Sequence, residues 1–224
     1  MLKKRVNELV PLQKKLNYKF NDPKLLNKAL THKSYANEIN PPIKNNERFE
    51  FLGDSVLDLI VSDYMVREYD DLAEGSLSKI RAAIVNEGCL AKLAQDLGLG
   101  QYLLLGKGED LSGGRQKISI LANAYEALVG AIFYDSDFQT VANVFLPKIV
   151  EDIDQTLALQ IDRKVDSCFT VSKIEHFVPS KFFVMNERNI LSPLLSTNDK
   201  NRTRQDFTSA YFLNGSCFSF LVEN

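Results

Sequence analysis

The stretch Asn46-Glu47-Arg48-Phe49-Glu50-Phe51-Leu52-Gly53-Asp54-Ser55-Val56-Leu57 decides the fold. It begins a helix that runs to about Glu68. Phe49, Phe51, Leu52, Val56, Leu57, Leu59, Ile60 and Val61 leave that helix little polar surface, so it is expected to be largely buried. Yet Glu47, Glu50 and Asp54 recur at i, i+3 and i+7, which at about 100° per residue sets them on one narrow face. Carboxylates stacked on one face repel one another, and burying them is costly unless something positive lies between them. Two readings stay open at this point. Glu47 and Glu50 favour a helix N-terminus and Asp54 faces water, or the three acids hold a hard divalent cation through oxygen ligands.

A second pair bears on that choice. Asn123 and Glu126 lie at i, i+3 in another apolar helix, Ile120 to Tyr134. There Ala122, Ala124, Ala127, Gly130 and Ala131 would let a neighbouring helix approach closely. If the two helices pack, five oxygen-bearing side chains converge. Mg²⁺ takes few protein oxygens besides water and phosphate oxygens, an arrangement suited to phosphodiester hydrolysis.

Outward from these helices, residues 1–160 read as all-α. Leu9, Leu12 and Leu16 recur at helical spacing, and so do Leu25, Leu26, Ala29 and Leu30 after the start signal Asp22-Pro23. Asn37 to Asn46 is a loop around Pro41-Pro42. Ser76 to Leu97 holds one or two helices with a break at Asn86-Glu87-Gly88, and Gly98 to Gly100 is a turn. Gly106 to Gly114 is a glycine-rich loop, and a last helix covers Phe138 to Leu159. Past Arg163 periodicity fades and phenylalanine, serine and asparagine accumulate. Residues 161–224 are therefore expected to be an atypical, poorly determined tail, disordered or non-native.

Composition excludes several classes. No apolar run reaches the roughly 18 residues of a membrane span. The basic N-terminus is followed by no apolar stretch, so a cytoplasmic protein is expected. Cys89, Cys168 and Cys217 form no CxxC pair and, with only His32 and His176, suggest neither a disulfide framework nor zinc. Net charge is −2, but ten of the lysines and arginines lie in residues 1–46 against three acids, a local basic strip of the kind that meets phosphate.

The residues also carry a resemblance. Asn46 to Leu57 resembles the signature of the ribonuclease III family. Ala29-Leu30-Thr31-His32-Lys33-Ser34-Tyr35, Glu74-Gly75-Ser76-Leu77-Ser78-Lys79-Ile80-Arg81, Leu105 to Arg115 and Ser119 to Leu128 resemble its other blocks in order and spacing. The resemblance covers about two-thirds of the chain. It implies a helical endonuclease domain over residues 1–160, acting as a homodimer on double-stranded RNA with Mg²⁺, Mn²⁺ being able to substitute. Each protomer would cut one strand and leave 5′-phosphate and 3′-hydroxyl ends, as in the processing of rRNA and mRNA precursors.

By motif position, the resemblance makes Glu50, Asn123 and Glu126 the metal ligands and Asp54 and Glu126 the catalytic acids, with Glu47 and Glu74 as supporting acids. It implies that Phe51 inserts into the partner protomer, whereas the residue pattern alone also allows an ordinary core phenylalanine. Asn123 stands where the family most often has Asp. It keeps a carbonyl oxygen but loses a charge, so weaker metal affinity is expected. Residues 161–224 contain no lysine- and alanine-rich helix of the kind that ends the family's double-stranded-RNA-binding domain.

Gly106 to Gln116 lacks the GxxxxGK[ST] order and a preceding strand, so no nucleotide cofactor is expected. Lys107 or Arg115 on that loop is read as an RNA phosphate contact, and His32 as a structural hydrogen-bonding residue. The alternative to an active nuclease is a non-catalytic or catalytically weakened homodimer that binds double-stranded RNA.

Overall fold

The computed structural model describes residues 3–163, 167–173, 183–185, 191–193 and 211–220. Residues 3–163 are all-α, as the periodicity predicts. Helices α1 (Lys3–Glu8) and α2 (Val10–Leu16) bury Leu9, Leu12 and Leu16. Helix α3 (Pro23–Ala29) starts where Asp22-Pro23 predicts, and the Asp22 carboxylate accepts from the Lys24 amide at 2.9 Å. His32 caps α4 (Lys33–Glu38) by accepting from the Ser34 amide through Nδ1, which is the structural role read for it. Helix α5 (Glu47–Glu68) follows the loop.

The predicted break at Asn86 separates α6 (Glu74–Ile84) from α7 (Glu87–Leu97). The Asn86 side chain accepts from the Cys89 amide at 3.0 Å, and Gly98 closes α7 at φ 72, a left-handed conformation that glycine adopts without steric cost. The expected glycine-rich loop is instead interrupted by a short helix, α8 (Lys107–Leu111). Its glycines hide the pattern, while Glu109 and Asp110 in its first turn favour a helix start. Two long helices end the domain, α9 (Ile118–Asp135) and α10 (Phe138–Arg163).

Helix α9 is the centre of the fold. It is buried almost all round, because Leu121, Ala122, Ala127, Val129 and Ala131 point in different directions and are each nearly inaccessible. It packs against α5, α7, α3 and α10. Its far end is tied down by Asp135, which accepts from the Tyr18 hydroxyl at 2.6 Å and from the Asn21 and Asp22 amides at 2.8 and 3.0 Å. The Asp135-Ser136-Asp137 segment is thus an anchor for the α2–α3 connection.

Parts of the segment 161–224, expected to be atypical and poorly determined, are described as strands. Strands β1 (Ser167–Lys173), β2 (Phe183–Met185), β3 (Leu191–Pro193) and β4 (Tyr211–Phe220) form one antiparallel sheet of order β1-β4-β2-β3. The aromatic and β-branched residues that erase helical periodicity here are those that suit strands. Strand β4 runs beside α6, α7 and α10. The remainder of the predicted tail lies outside the described residues.

Tyr125 is fully buried in α9, its ring edge-on to Phe145 at 5.3 Å between centroids, and its hydroxyl finds no partner among the described residues. Burial pushes its pKa far up. An unpaired buried hydroxyl costs about 1–3 kcal/mol, so Tyr125→Phe is expected to raise the midpoint of urea unfolding with an unchanged slope. A lower midpoint would mean the hydroxyl is paired.

Candidate active site at the crossing of α5 and α9

Helices α5 and α9 touch backbone to backbone. A Cβ on Gly53 would land on the carbonyl oxygen of Glu126, and one on Gly130 would land on the carbonyl oxygen of Phe49. Only hydrogen at both positions allows so close a crossing. The small-residue stripe on α9 predicts this approach at Gly130. Its counterpart Gly53 escapes the sequence reading, although a glycine inside a helical pattern signals such a contact.

The crossing brings Glu50 and Asp54 of α5 to Glu126 of α9, with Asn123 one turn before it. Electrostatics reports the convergence. The Glu126 carboxyl is pushed up to about 7, first by burial and then by the charges of Asp54, Glu50, Asp58 and Glu87. Glu50 is also raised, by burial and by Glu47, against a smaller opposing effect of Lys33. Both effects have one cause: carboxylates gathered in a partly dry cleft favour their neutral forms.

Two of these acids are absent from the sequence reading. Asp58 lies one turn beyond Asp54 on the same face and was legible by spacing. Its pKa is raised by burial and by Asp54, and lowered by Arg81. Glu87 arrives at the start of α7 by tertiary folding, and no local signal marks it.

Other predicted residues lie around this core in different relations. Glu47 stands at its edge, 3.5 Å from Lys33 and accepting from Asn45 Nδ2 at 3.0 Å. Glu74 begins α6 and accepts from the Ser78 hydroxyl at 2.7 Å; it is not among the groups acting on Glu126. Phe51 is 78% exposed, which removes the reading of an ordinary core residue within one protomer. Lys107 is exposed at the start of α8. Arg115 is turned into the fold. Its guanidinium donates to both Asp110 oxygens at 2.8 and 3.0 Å and to the Gly100 and Leu103 carbonyls at 2.8 and 3.0 Å. Four of five donors are spent on structure, so the geometry opposes a phosphate contact by Arg115.

Among the described residues, no three His, Cys, Asp or Glu side chains already form a metal cage. The donor set itself fits a hard dication, since Glu50, Asp54, Asn123 and Glu126 offer only oxygens. The rise of Glu126 to about 7 comes from burial and surrounding carboxylates, and a cation would relieve it.

Comparison with known proteins agrees with this architecture. Residues 22–153 match the family model described as ribonuclease-III-like. A Ribonuclease 3 from Desulfotalea psychrophila is 54% identical over 141 residues, 61% of this chain and 58% of that protein. A Ribonuclease 3 from Treponema denticola is 42% identical over 179 residues, 80% of this chain and 71% of that protein. The nuclease domain of ribonuclease III from Campylobacter jejuni superposes with a TM-score of 0.60 at 44% identity, covering 64% of this chain and 96% of that domain. That structure is described as showing flexibility in a region involved in dimer formation. The fold is a helical domain of the kind seen in that nuclease domain, and the chain belongs to the ribonuclease-III-like family. It spans 58% and 65% of the length of two of its curated relatives.

Because the Cβ of Gly130→Ala meets backbone on α5, this variant is expected to lose about 1–3 kcal/mol or more of stability through overpacking. Urea unfolding measures it. Wild-type stability would mean that the helices part without cost and that the crossing does not fix the site.

Proposed function

We propose that this chain is an endoribonuclease that hydrolyses double-stranded RNA as a divalent-metal-dependent homodimer, leaving 5′-phosphate and 3′-hydroxyl ends. The observation that carries this reading is the convergence of Glu50, Asp54 and Glu126 at the α5–α9 crossing, with the Glu126 carboxyl raised to about 7 by burial first and then by its acidic neighbours. A module that only bound phosphate would gain nothing from such a cluster. Glu50, Asn123 and Glu126 would hold Mg²⁺, or Mn²⁺ in its place. When bound, that ion supplies an activated water and stabilises charge on the departing oxygen.

Asp54 positions the water, and Glu126 both binds and orients. Glu47 and Glu74 support the site from its rim, and Lys107 is free to meet phosphate. Residues 1–160 are assigned as the nuclease domain, and 161–224 as an atypical tail in which no double-stranded-RNA-binding domain is recognisable. The proposed setting is the cytoplasm, in the processing of rRNA and mRNA precursors, with no membrane or nucleotide cofactor involved. Asn123 specifically favours a second reading, a catalytically weakened RNA-binding dimer, because it withholds one ligand charge.

One assay separates the two: long double-stranded RNA incubated with Mg²⁺, against EDTA. Glu126→Gln is expected to abolish cleavage while the protein stays folded and dimeric, and cleavage near the wild-type rate would remove Glu126 from the site. Asn123→Asp is expected to lower the Mg²⁺ concentration for half-maximal activity. An unchanged or higher requirement would put Asn123 outside the metal shell.

Dimerisation is tested through Phe51. Emptying a buried aromatic site costs about 3–5 kcal/mol, twice over in a symmetric pair. Phe51→Ala should therefore sediment as monomer at micromolar concentration. A fully dimeric variant would reduce Phe51 to a minor contact.

A further inference from the structure

His32 is pinned between the start of α5 and the segment that leads into α8. The Thr31 carbonyl accepts from the Asn46 amide at 2.9 Å, and the His32 amide donates to the Leu104 carbonyl at 3.1 Å. The ring is held as well. Its Nδ1 accepts from the Ser34 amide at 3.3 Å and lies 2.8 Å from the Ser34 hydroxyl. That hydroxyl accepts from the Gly106 amide at 2.9 Å, which leaves its own proton for Nδ1. An amide can only donate, so Nδ1 presents a lone pair and the ring proton sits on Nε2. Burial holds the imidazole below its usual range, ahead of the mixed fields of Glu109, Lys33, Glu47 and Lys117. The ring is therefore a neutral donor. Among the described residues Nε2 has no partner, and it is open to solvent.

We propose that His32 is an RNA-binding residue, whose neutral Nε2–H donates to a phosphate oxygen of the duplex backbone on the rim between Glu47 and α8. This rests on the double-stranded-RNA reading above and adds a contact to it. Capping α4 uses only Nδ1, and serine, aspartate or asparagine would serve that purpose. The second ring nitrogen is the part that capping leaves over. The rim around it is rich in donors. Lys33 and Lys107 are exposed, and the Lys107 amide ties α8 to Glu38 of α4 at 2.9 Å. The two nearby carboxylates are already matched, Glu47 by Lys33 and Glu109 by Lys117, so they offer little opposition to an anion. A phosphate oxygen is the acceptor such a surface suits. An imidazolium would fit less well, because a proton on Nδ1 would face the Ser34 amide, donor against donor.

Two variants of the full-length protein separate the two nitrogens. In His32→Asn the side-chain oxygen accepts where Nδ1 does, and nothing reaches the place of Nε2. In His32→Gln the amide nitrogen reaches the place of Nε2, and the cap is lost. Each is compared with wild type by urea unfolding and by binding to a short RNA duplex in Ca²⁺ across a salt series. His32→Asn is expected to keep the unfolding midpoint and to raise Kd about tenfold, as loss of a hydrogen bond to a charged group does. Its salt slope should match wild type, because a neutral donor releases no counterion. His32→Gln is expected to lower the midpoint while binding RNA more tightly than His32→Asn. An asparagine variant that binds like wild type would show that Nε2 is idle. Stability and affinity falling together in both variants would confine His32 to the fold, and a shallower slope in His32→Asn would make the ring a cation; either result overturns the proposal alone. A wild type that binds no duplex RNA at any salt concentration would overturn the RNA reading with it.

Discussion

The contact between Gly53 and Gly130 is the constraint on which the rest depends. Helix axes usually pack 8–10 Å apart because side chains stand between them. Here neither helix has a Cβ at the crossing, and peptide backbone faces peptide backbone. Everything nearby is placed relative to that point. Glu50 and Asp54 lie within one turn of Gly53, and Glu126 lies one turn before Gly130. The candidate side chains therefore stand on two helices whose other faces are locked into the core by Leu57, Ile60, Leu128 and Ile132. Such placement suits a site that must hold oxygen donors to within a fraction of an ångström.

The same closeness creates an electrostatic cost. A carboxyl raised to about 7 is one whose charge the protein disfavours. The sign is clear for the metal-free protein: its folded pKa lies above the unfolded value, so this group stabilises the fold less as pH rises above the ordinary carboxylate range. The surrounding core offsets that cost, as the extensive burial along α9 makes plain. A fold that sets Glu50, Asp54, Asp58, Glu87 and Glu126 around one cleft gives up stability there, a conflict that proteins accept at functional positions.

How much of this was legible follows from the range of each signal. Helical periodicity, the Asp22 and Asn86 caps and the face shared by Glu47, Glu50 and Asp54 are local, and the helices and the α5 half of the site could be read directly. The convergence of α5 with α9 was legible only as a conditional, because small residues permit a close crossing without naming the partner. Glu87 could not be read, since it reaches the cleft through the packing of α7. Arg115 was misread for a related reason: a basic residue in a glycine-rich segment looks available for phosphate, and only the fold shows the carbonyls of Gly100 and Leu103 taking its donors. The β-sheet of the tail was missed because its strands are short and separated, and its pairing of β1 with β4 joins residues distant in sequence.

Helix α5 also carries two unlike neighbouring faces. Taking Phe51 as the reference direction, Glu50, Asp54 and Asp58 lie roughly 20–100° to one side, and Leu59 and Val66 roughly 60–80° to the other. One face therefore carries acids toward α9 while the neighbouring face carries an exposed apolar stripe. The helix has 22 residues, about 33 Å at 1.5 Å per residue, and its inner side is fixed in the core.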